Sequence, residues 1–276
     1  MRLRFTKMQG IGNDFVMLDG VSQKLTISHA KIKKLADRHF GVGCDQVLIV
    51  EPPTRPDADF RYRIFNADGA EVENCGNGAR CFAVFVRQRG LCSKSTIVAE
   101  TLARDLVLKV NADNSVTVDM GVPVLEPKDI PFIAPTRAVD YPLSVKGESY
   151  TISAVSMGNP HAVCFVDDVE HFPVESIGPI IEAHPNFPQK VNAGFLQRLS
   201  RSEGRLRVYE RGVGETLACG TGACAAVVAG KLRGEFDDVV TISLPGGCLS
   251  IEWRGESQPV FMTGAATTVF TGQIKI

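Results

Sequence analysis

Two short segments of the chain repeat each other, and each contains a cysteine placed where it can do chemistry. They are Cys75–Ala79 (C-G-N-G-A) and Cys219–Ala223 (C-G-T-G-A). Each cysteine precedes two glycines and an apolar run of helical length, so its thiol is expected at the positive end of a helix dipole, where backbone N–H groups favour thiolate. One such site alone indicates an anion pocket or a reactive cysteine. Two of them, one in each half of the chain, indicate paired thiols facing one substrate.

The repeat extends beyond the cysteines, at an offset of 144 to 146 residues. Polar residues recur in the same order and at the same spacing, including a step of 33 positions and a step of nine that leads to each cysteine. The matched pairs are Asn13 with Asn159, Gln46 with Asn192, Asn66 with Glu210, and Glu71 with Glu215. Several matches in one order predict an internally duplicated protein with a pseudo-twofold relation, and the period is far too long for a solenoid.

A duplicated pair of thiols is suited to moving a proton across a carbon. Taking a proton from one face and returning one to the other needs two acid/base groups, here one thiolate and one thiol. A thiol of pKa about 8.5 is only a few per cent ionised at neutral pH, and a helix N-terminus is expected to lower that value. The backbone N–H groups around Gly76-Asn77 and Gly220-Thr221 are expected to bind a substrate carboxylate and stabilise the charge that builds on it.

The bulk composition excludes several classes of protein. A net charge of −1 over 276 residues argues against binding to nucleic acid or to an acidic membrane surface. No apolar run approaches the length of a membrane span, and the first residues have no signal-peptide core. Eight cysteines are too few for a disulfide scaffold and indicate reduced thiols in the cytoplasm. No cysteine or histidine spacing is typical of a metal site, so we expect no metal.

The elements that must position these residues are mostly short strands. Helices are predicted from His29 to about His39, from about Gly78 to Arg89, from Val174 to Ala183, and from about Gly222 to Arg233. The second and the last are apolar almost all round, which is typical of a helix buried on every side, so we expect a curled, barrel-like sheet around each. The final strand, Thr267–Ile276, is expected to return to the first half, because a lone terminal strand needs a partner.

Several motifs resemble the diaminopimelate epimerase family over essentially the whole chain. They are G-N-D-F from Gly12, F-N-A-D-G from Phe65, N-C-G-N-G-A-R-C from Asn74, S-M-G-N-P-H from Ser156, Y-E-R-G-V-G-E-T from Tyr209, and A-C-G-T-G from Ala218. The resemblance implies an α/β (α+β) fold of two pseudo-symmetric domains, each a mostly antiparallel or mixed sheet around a central helix. We place the domains at 1–119 plus 265–276 and at 120–264, with the active site in the cleft between them.

The resemblance also implies an activity and the residues that carry it. The family interconverts LL- and meso-2,6-diaminopimelate without a cofactor, a step towards lysine and peptidoglycan. Cys75 and Cys219 match its two bases, and His161 and Glu210 match groups that assist proton transfer. The positions that match substrate-binding residues are Asn13, Gln46, Asn66, Gly76, Asn77, Asn159, Asn192, Glu210, Arg211, Gly220 and Thr221. A homodimer is implied as well, although Phe270 stands where family members often have a tyrosine.

Two other functions stay open. Another two-thiol isomerase of the same fold, such as a proline racemase relative, is the nearer one, and Arg211 with the asparagines favours a longer substrate with a second charged end. A thiol redox switch that uses Cys75 and Cys219 is the more distant one. Core packing is the expected role of Cys44 and of four further cysteines, namely Cys81, Cys164, Cys224 and Cys248.

Overall fold

Strands dominate the first half of the chain. The structure, a computed structural model, describes residues 2–73 and 75–276, so Met1 and Asn74, the first residue of the motif N-C-G-N-G-A-R-C, lie outside it. The first-half elements are β1 (Arg2–Gly10), β2 (Asn13–Asp19), α1 (His29–Ala36), β3 (Gln46–Glu51), β4 (Phe60–Asn66), β5 (Glu71–Val72), α2 (Gly76–Gln88), β6 (Thr96–Glu100), β7 (Leu106–Val110) and β8 (Val116–Asp119).

The second half has the same character. After a short 3-10 helix (Pro127–Asp129), its elements are β9 (Tyr141–Val145), β10 (Glu148–Ser156), β11 (Pro160–Phe165), α3 (Val174–Glu182), β12 (Asn192–Arg198), β13 (Glu203–Glu210), β14 (Gly214–Thr216), α4 (Gly220–Leu232), β15 (Val239–Leu244), β16 (Gly247–Glu252), β17 (Phe261–Gly264) and β18 (Thr267–Lys275). None of the helices in the described residues is long and apolar enough to cross a membrane.

The chain forms two compact units. One consists of Met1–Asp119 with Thr263–Ile276, and the other of Met120–Met262. The boundary in the C-terminal part falls inside β17, two residues before the one we placed from the sequence.

The two units share the connectivity of their central strands and helices. In the first, β2 and β3 are parallel and are linked through α1, while β4 and β6 are parallel and are linked through α2. In the second, β11 and β12 are parallel across α3, and β13 and β15 are parallel across α4. The other described pairs are antiparallel. The predicted duplication is therefore present in the topology as well as in the sequence.

Each sheet curves around its central helix, as predicted, but it is open. The outer edge of β1 is covered by β18, which runs antiparallel to it from Arg2↔Lys275 onward, so the predicted return of the last strand is confirmed. The strand β9 takes the corresponding place beside β10. At the other end of the first sheet β8 pairs with β17, the strand that precedes β18, and the described pairings do not close either sheet into a barrel. The fold is a mixed α/β fold with a sheet around a buried helix in each unit.

The helix boundaries differ from the predicted ones for local reasons. Cys75 and Cys219 are themselves the N-caps of α2 and α4, both in extended conformation, so each helix begins two residues earlier than predicted. Gly90 (φ 68°) and Gly234 (φ 74°) follow the helix ends in the left-handed region, as their type predicts. The helix α1 ends at Ala36 because the Asp37 carboxylate accepts the N–H groups of the next turn, at 2.7 and 2.8 Å.

Candidate functional site

The first group of predicted residues lies at one end of three neighbouring strands. A two-residue turn with positive φ at Ile11 (50°) and Gly12 (92°) joins β1 to β2, which is the type I′ geometry of tight hairpins, and makes Asn13 the first residue of β2. Gln46 begins β3 and lies opposite Asn66 at the end of β4. The Gln46 amide Nε2 donates a hydrogen bond to Asn66 Oδ1 at 2.9 Å.

Cys75 lies next to Asn13 at the start of α2. Its Sγ donates to Asn13 Oδ1 at 3.6 Å, and its carbonyl accepts the Ala79 N–H at 2.8 Å, the first bond of the helix. The buried Tyr62 hydroxyl donates to the same carbonyl at 3.3 Å. A Cβ at Gly78 would approach that hydroxyl to 2.7 Å, so the last glycine of the first C-G-x-G segment is required for packing.

The first turn of α2 contains two further predicted residues. Gly76 and Asn77 are buried, and their backbone N–H groups belong to the turn whose donors point out of the helix start. The Asn77 side chain donates from Nδ2 to Asn13 Oδ1 at 3.3 Å. The first unit thus brings together Asn13, Cys75, Gly76 and Asn77, with Gln46 and Asn66 on the neighbouring strands.

The second unit gathers its own set around β11 and β12. Asn159 lies in the three-residue loop between β10 and β11, and His161 on β11 is in register with Asn192 on β12. The His161 ring Nε2 lies 3.1 Å from Asn159 Oδ1. Asn192 donates from Nδ2 to the Pro160 carbonyl at 2.8 Å and accepts the Arg211 N–H at 3.0 Å. These bonds hold the predicted polar residues at one end of the sheet.

Cys219 is more deeply buried than Cys75. The residue is 4% exposed, and its Sγ lies 3.6 Å from Thr221 Oγ1. A Cβ at Gly222 would lie 3.1 Å from this sulfur and 3.1 Å from Val208, so the glycine leaves room for the thiol. Gly220 and Thr221 form the first turn of α4, which corresponds to Gly76 and Asn77.

Burial raises the pKa of the Cys219 thiol well above its ordinary value, and the charge of Glu210 raises it further. Hydrogen bonds from Thr221 and from the Gly222 N–H act in the opposite direction but are the smaller contributions. The expectation that a helix N-terminus would favour thiolate is therefore wrong for Cys219. Its position at the helix start is as predicted, but burial and the charge of Glu210 favour the protonated thiol.

Glu210 and His161 differ in how they are held. The Thr216 hydroxyl donates to Glu210 Oε1 at 2.5 Å, which orients the carboxylate at the end of β13. Burial lowers the pKa of His161 to about 3, with a further contribution from the charge of Arg211, so its imidazole is neutral at neutral pH. The buried His161 Nδ1 has no hydrogen-bond partner among the described residues.

Arg211 is exposed, unlike the rest of its set. Its Nη1 donates to the Gln189 carbonyl at 3.1 Å, and its backbone is fixed by Asn192. A guanidinium in this position is able to pair with a carboxylate through two parallel hydrogen bonds.

A duplicated ion pair was missed by sequence reasoning. Glu71 forms a two-point salt bridge with Arg63, both contacts being 2.7 Å, and Glu215 forms the same pair with Arg207 at 2.6 and 2.8 Å. Each pair ties the short strand before the cysteine to the strand that precedes it. The two arginines recur at the same 144-residue offset as the two glutamates, so the sequence repeat contains both partners of each pair.

Five of the remaining cysteines had core packing as their expected role. Cys44, Cys81, Cys164 and Cys224 are buried, as expected for core packing, whereas Cys248 is exposed on β16, so that expectation was wrong for it. Burial raises the pKa of Cys44, Cys81 and Cys164 to about 12. No cluster of three or more His, Cys, Asp or Glu side chains suited to a metal occurs within residues 2–73 and 75–276.

Comparison with known proteins gives the family. The family model for diaminopimelate epimerase matches residues 5–126 and 153–269. A diaminopimelate epimerase of Teredinibacter turnerae is 65% identical, and one of Thioalkalivibrio sulfidiphilus is 61% identical, each aligned over all of both chains. This chain belongs to the diaminopimelate epimerase family.

Comparison with solved structures finds the same fold in other proteins. The crystal structure of a probable proline racemase from Agrobacterium radiobacter superposes with a TM-score of 0.73 at 15% identity, covering 99% of this chain and 93% of the other. At that identity the likeness shows the fold alone. This epimerase-family chain is therefore related in sequence to diaminopimelate epimerases and shares its fold with that probable proline racemase.

Proposed function

We propose that this protein interconverts LL- and meso-2,6-diaminopimelate by a two-base reaction at the α-carbon, with Cys75 and Cys219 as the acid/base pair. Membership of the diaminopimelate epimerase family supports the substrate. The observation that carries the mechanism is the placement of one cysteine at the N-cap of the buried helix in each of two units with the same topology. Both halves thus supply a thiol at the same position in the fold.

The reaction moves one proton on each side of the carbon. One cysteine, as thiolate, takes the Cα proton and becomes a thiol, while the other gives its thiol proton to the opposite face and becomes a thiolate. Because burial and Glu210 favour the protonated form of Cys219, that residue is the proton donor in the direction in which Cys75 is the base. In the reverse direction the roles exchange. The reaction uses no cofactor.

The helix starts stabilise the charge that develops. As the α-proton leaves, negative charge builds on the substrate α-carboxylate, and N–H groups placed in advance stabilise it more than water does. Gly76 with Asn77, and Gly220 with Thr221, supply these donors. His161 and Glu210 assist proton transfer in the second unit, and the His161 imidazole is neutral.

The distal end of the substrate is the basis of specificity. We assign it to Arg211, which pairs with the second carboxylate, and to the amides of Asn13, Gln46, Asn66, Asn159 and Asn192. A site that hydrogen-bonds both ends of a substrate rejects one that lacks an end, because buried polar groups would then lose their partners. Proline has no distal amino acid group, so a proline racemase activity is the disfavoured alternative.

Location and assembly are part of the same proposal. We place the protein in the cytoplasm, where a reducing environment keeps both thiols usable. We also propose a homodimer that uses β18, whose side chains include Val269 and Phe270 at 56% and 47% exposure. The Phe270 ring packs edge-on against Phe5, 5.8 Å between centroids, so it is held in place without the tyrosine hydroxyl.

The test is an isomerisation assay on the reduced protein. LL-diaminopimelate should be converted to a mixture with the meso isomer, followed by chiral chromatography, while L-proline should be unchanged. Equal turnover of proline would refute the specificity. If the fully reduced protein converts neither substrate but Cys75 and Cys219 undergo reversible thiol–disulfide exchange, the thiol-switch alternative is favoured.

A further inference from the structure

The Asn13 side chain lies between Cys75 and a carboxylate. Its Oδ1 accepts the Cys75 thiol at 3.6 Å, and its Nδ2 donates to Asp45 Oδ2 at 2.8 Å. An amide has a donor end and an acceptor end, so its orientation decides whether Cys75 meets an oxygen or an N–H. A sulfur next to an oxygen acceptor is favoured as a thiol, whereas one next to an N–H donor is favoured as a thiolate.

Asp45 fixes the donor end of this amide. A carboxylate accepts hydrogen bonds and cannot donate them, so the atom of Asn13 that faces it must be Nδ2. Asp45 is itself held, because its Oδ1 accepts Arg38 Nη2 at 2.7 Å and its Oδ2 also accepts the Asp14 N–H at 3.0 Å. Although its side chain is 44% exposed, the carboxylate is therefore fixed by two further partners.

Arg80 fixes the acceptor end of the Asn13 amide indirectly, through the side chain of Asn77. The guanidinium is fully buried and can only donate, and its Nη1 donates to Asn77 Oδ1 at 3.0 Å. Asn77 must then turn its Nδ2 towards Asn13, where it donates to Oδ1 at 3.3 Å. A donor-only cation at one end and an acceptor-only anion at the other leave the two amides a single consistent orientation.

We propose that Asp45 and Arg80 are positioning residues that hold the Asn13 amide with its oxygen towards Cys75 and so keep Cys75 protonated until substrate engages Asn13. The inference rests on the proposed role of Cys75 as an acid/base group. Because Asn13 is also a predicted substrate contact, a substrate N–H group that binds its oxygen would replace Cys75 there. Ionisation of Cys75 is thereby coupled to occupation of the site.

The second unit lacks this arrangement. At the offset of 146 residues that relates Asn13 to Asn159, the residue corresponding to Asp45 is Val191, which cannot orient an amide. Asn159 Oδ1 faces the His161 ring rather than the cysteine. This orientation of an amide by a carboxylate is thus specific to Cys75, whereas burial and Glu210 raise the pKa of Cys219.

Other titratable and charged groups surround Cys75 within its unit and must be considered in any pH measurement. Tyr62 on β4 and Cys81 on α2 both have pKa values raised by burial, so they are neutral near neutral pH. The charged groups are Arg80 on α2, Asp14 on β2, Lys7 on β1, which pairs with Asp14, and Asp45 with Arg38 before β3. Asp14 and Asp45 carry the same charge in the same network, and it is Asp45 whose carboxylate accepts the hydrogen bond from the Asn13 side chain.

The experiment measures the pH dependence of alkylation at Cys75. Iodoacetamide labelling of the full-length protein without substrate is followed by mass spectrometry of the Cys75 peptide, for the wild type, Asp45→Asn and Asp14→Asn. Asp45→Asn removes the acceptor-only partner, so the labelling midpoint should move to lower pH and the rate at neutral pH should rise about three- to tenfold. Asp14→Asn removes an equal charge and should move the midpoint by less than half as much. Equal shifts in both variants, or none in Asp45→Asn, would overturn the inference.

A measurement on the wild type keeps the inference falsifiable if a variant fails to fold. Neutron diffraction from deuterated crystals should place both Asn13 amide deuterons towards Asp45 and a deuteron on Cys75 Sγ directed at Asn13 Oδ1. A bare sulfur facing the Asn13 amide deuterons would refute it. Neither readout requires turnover. A protein without epimerase activity would contradict the proposed function, whereas the labelling midpoints and the deuteron positions would still decide how Asn13 is oriented.

Discussion

Cys75 and Cys219 occupy the same position in the two units, but their surroundings differ. Cys219 is buried beside Glu210, and Thr216 orients that carboxylate. At the matching positions of the first unit stand Asn66 and Val72, which carry no charge. The duplication therefore kept the backbone of the cysteine site and changed its polar residues, so that each thiol is controlled by different groups.

Removal of either thiol is the simplest test at this scale. Cys75→Ala and Cys219→Ala should each reduce full epimerisation by about a thousandfold or more, since a positioned acid or base contributes about 10² to 10⁴ in rate. Cys248→Ala is the matched control, because this cysteine is exposed on β16, and it should retain wild-type turnover. A cysteine variant at 75 or 219 with normal rates in both directions would contradict the two-base account.

The buried His161 predicts a pH dependence of stability. Its pKa is lowered to about 3 by burial, whereas an unfolded histidine titrates near 6.5, so between these values the unfolded state binds the extra proton. This contribution to stability is complete above about pH 7.5 and falls as the pH decreases towards 3, by about 2 kcal/mol between pH 7.5 and 5. Urea denaturation should show this loss in the wild type and in His39→Gln, an exposed control, and a smaller loss in His161→Gln. An unchanged slope in His161→Gln would be inconsistent with a buried neutral imidazole.

At the scale of elements, the strands before each cysteine are held by the ion pairs Arg63–Glu71 and Arg207–Glu215. Arg207 also donates to the carbonyls of Val169, Glu170 and Phe172, so in the second unit the same guanidinium fixes the segment that leads into α3. These pairs place β5 and β14, and through them the N-caps of α2 and α4.

Loss of these pairs should affect the site more than the fold. Glu71→Gln and Glu215→Gln should each lower the free energy of unfolding by about 1 kcal/mol, since both partners are only about a quarter exposed. Their kcat should fall further than this loss of stability explains, because the ion pair no longer holds the short strand (β5 or β14) that leads to the cysteine. Asp237→Asn, which breaks the exposed pair with Arg201, is the control and should leave both quantities nearly unchanged. A fall in kcat no larger in the glutamate variants than in the control would argue against positioning by the pairs.

Sequence patterns were sufficient for elements whose causes are local. Apolar runs bounded by glycine predicted both central helices, and a terminal strand without a partner predicted the pairing of β18 with β1. The end of α1 was missed because a single carboxylate, Asp37, captures the next backbone N–H groups. The pKa of Cys219 and the orientation of Asn13 were missed because they depend on burial and on contacts between residues far apart in sequence.

At the scale of the whole molecule, duplication explains both the repeated motifs and the repeated connectivity. Parallel pairs, crossover helices and the buried central helix recur in the same order in both units. The proposed reaction needs an acid and a base of the same chemical type, and each copy of the unit contributes one thiol.

The proposed dimer gives a prediction at this scale. Phe270→Lys places a charge on the exposed face of β18 and should shift the protein to a monomer in sedimentation velocity, whereas Phe270→Tyr should leave the dimer intact. Leu102→Lys, at another exposed apolar residue (55%), is the control and should not change the mass. A wild-type protein that sediments as a monomer would refute the assembly.

The most direct test of the two-base claim is the early time course of deuterium incorporation from LL-diaminopimelate in D2O. With separate cysteines as base and acid, the meso product should carry deuterium at the inverted α-carbon from the first turnovers, while the remaining LL substrate still carries protium. The same order should hold when the reaction starts from the meso isomer. Deuterium that appears in the starting isomer as fast as in the product, or product that retains the original proton, would contradict a reaction divided between Cys75 and Cys219.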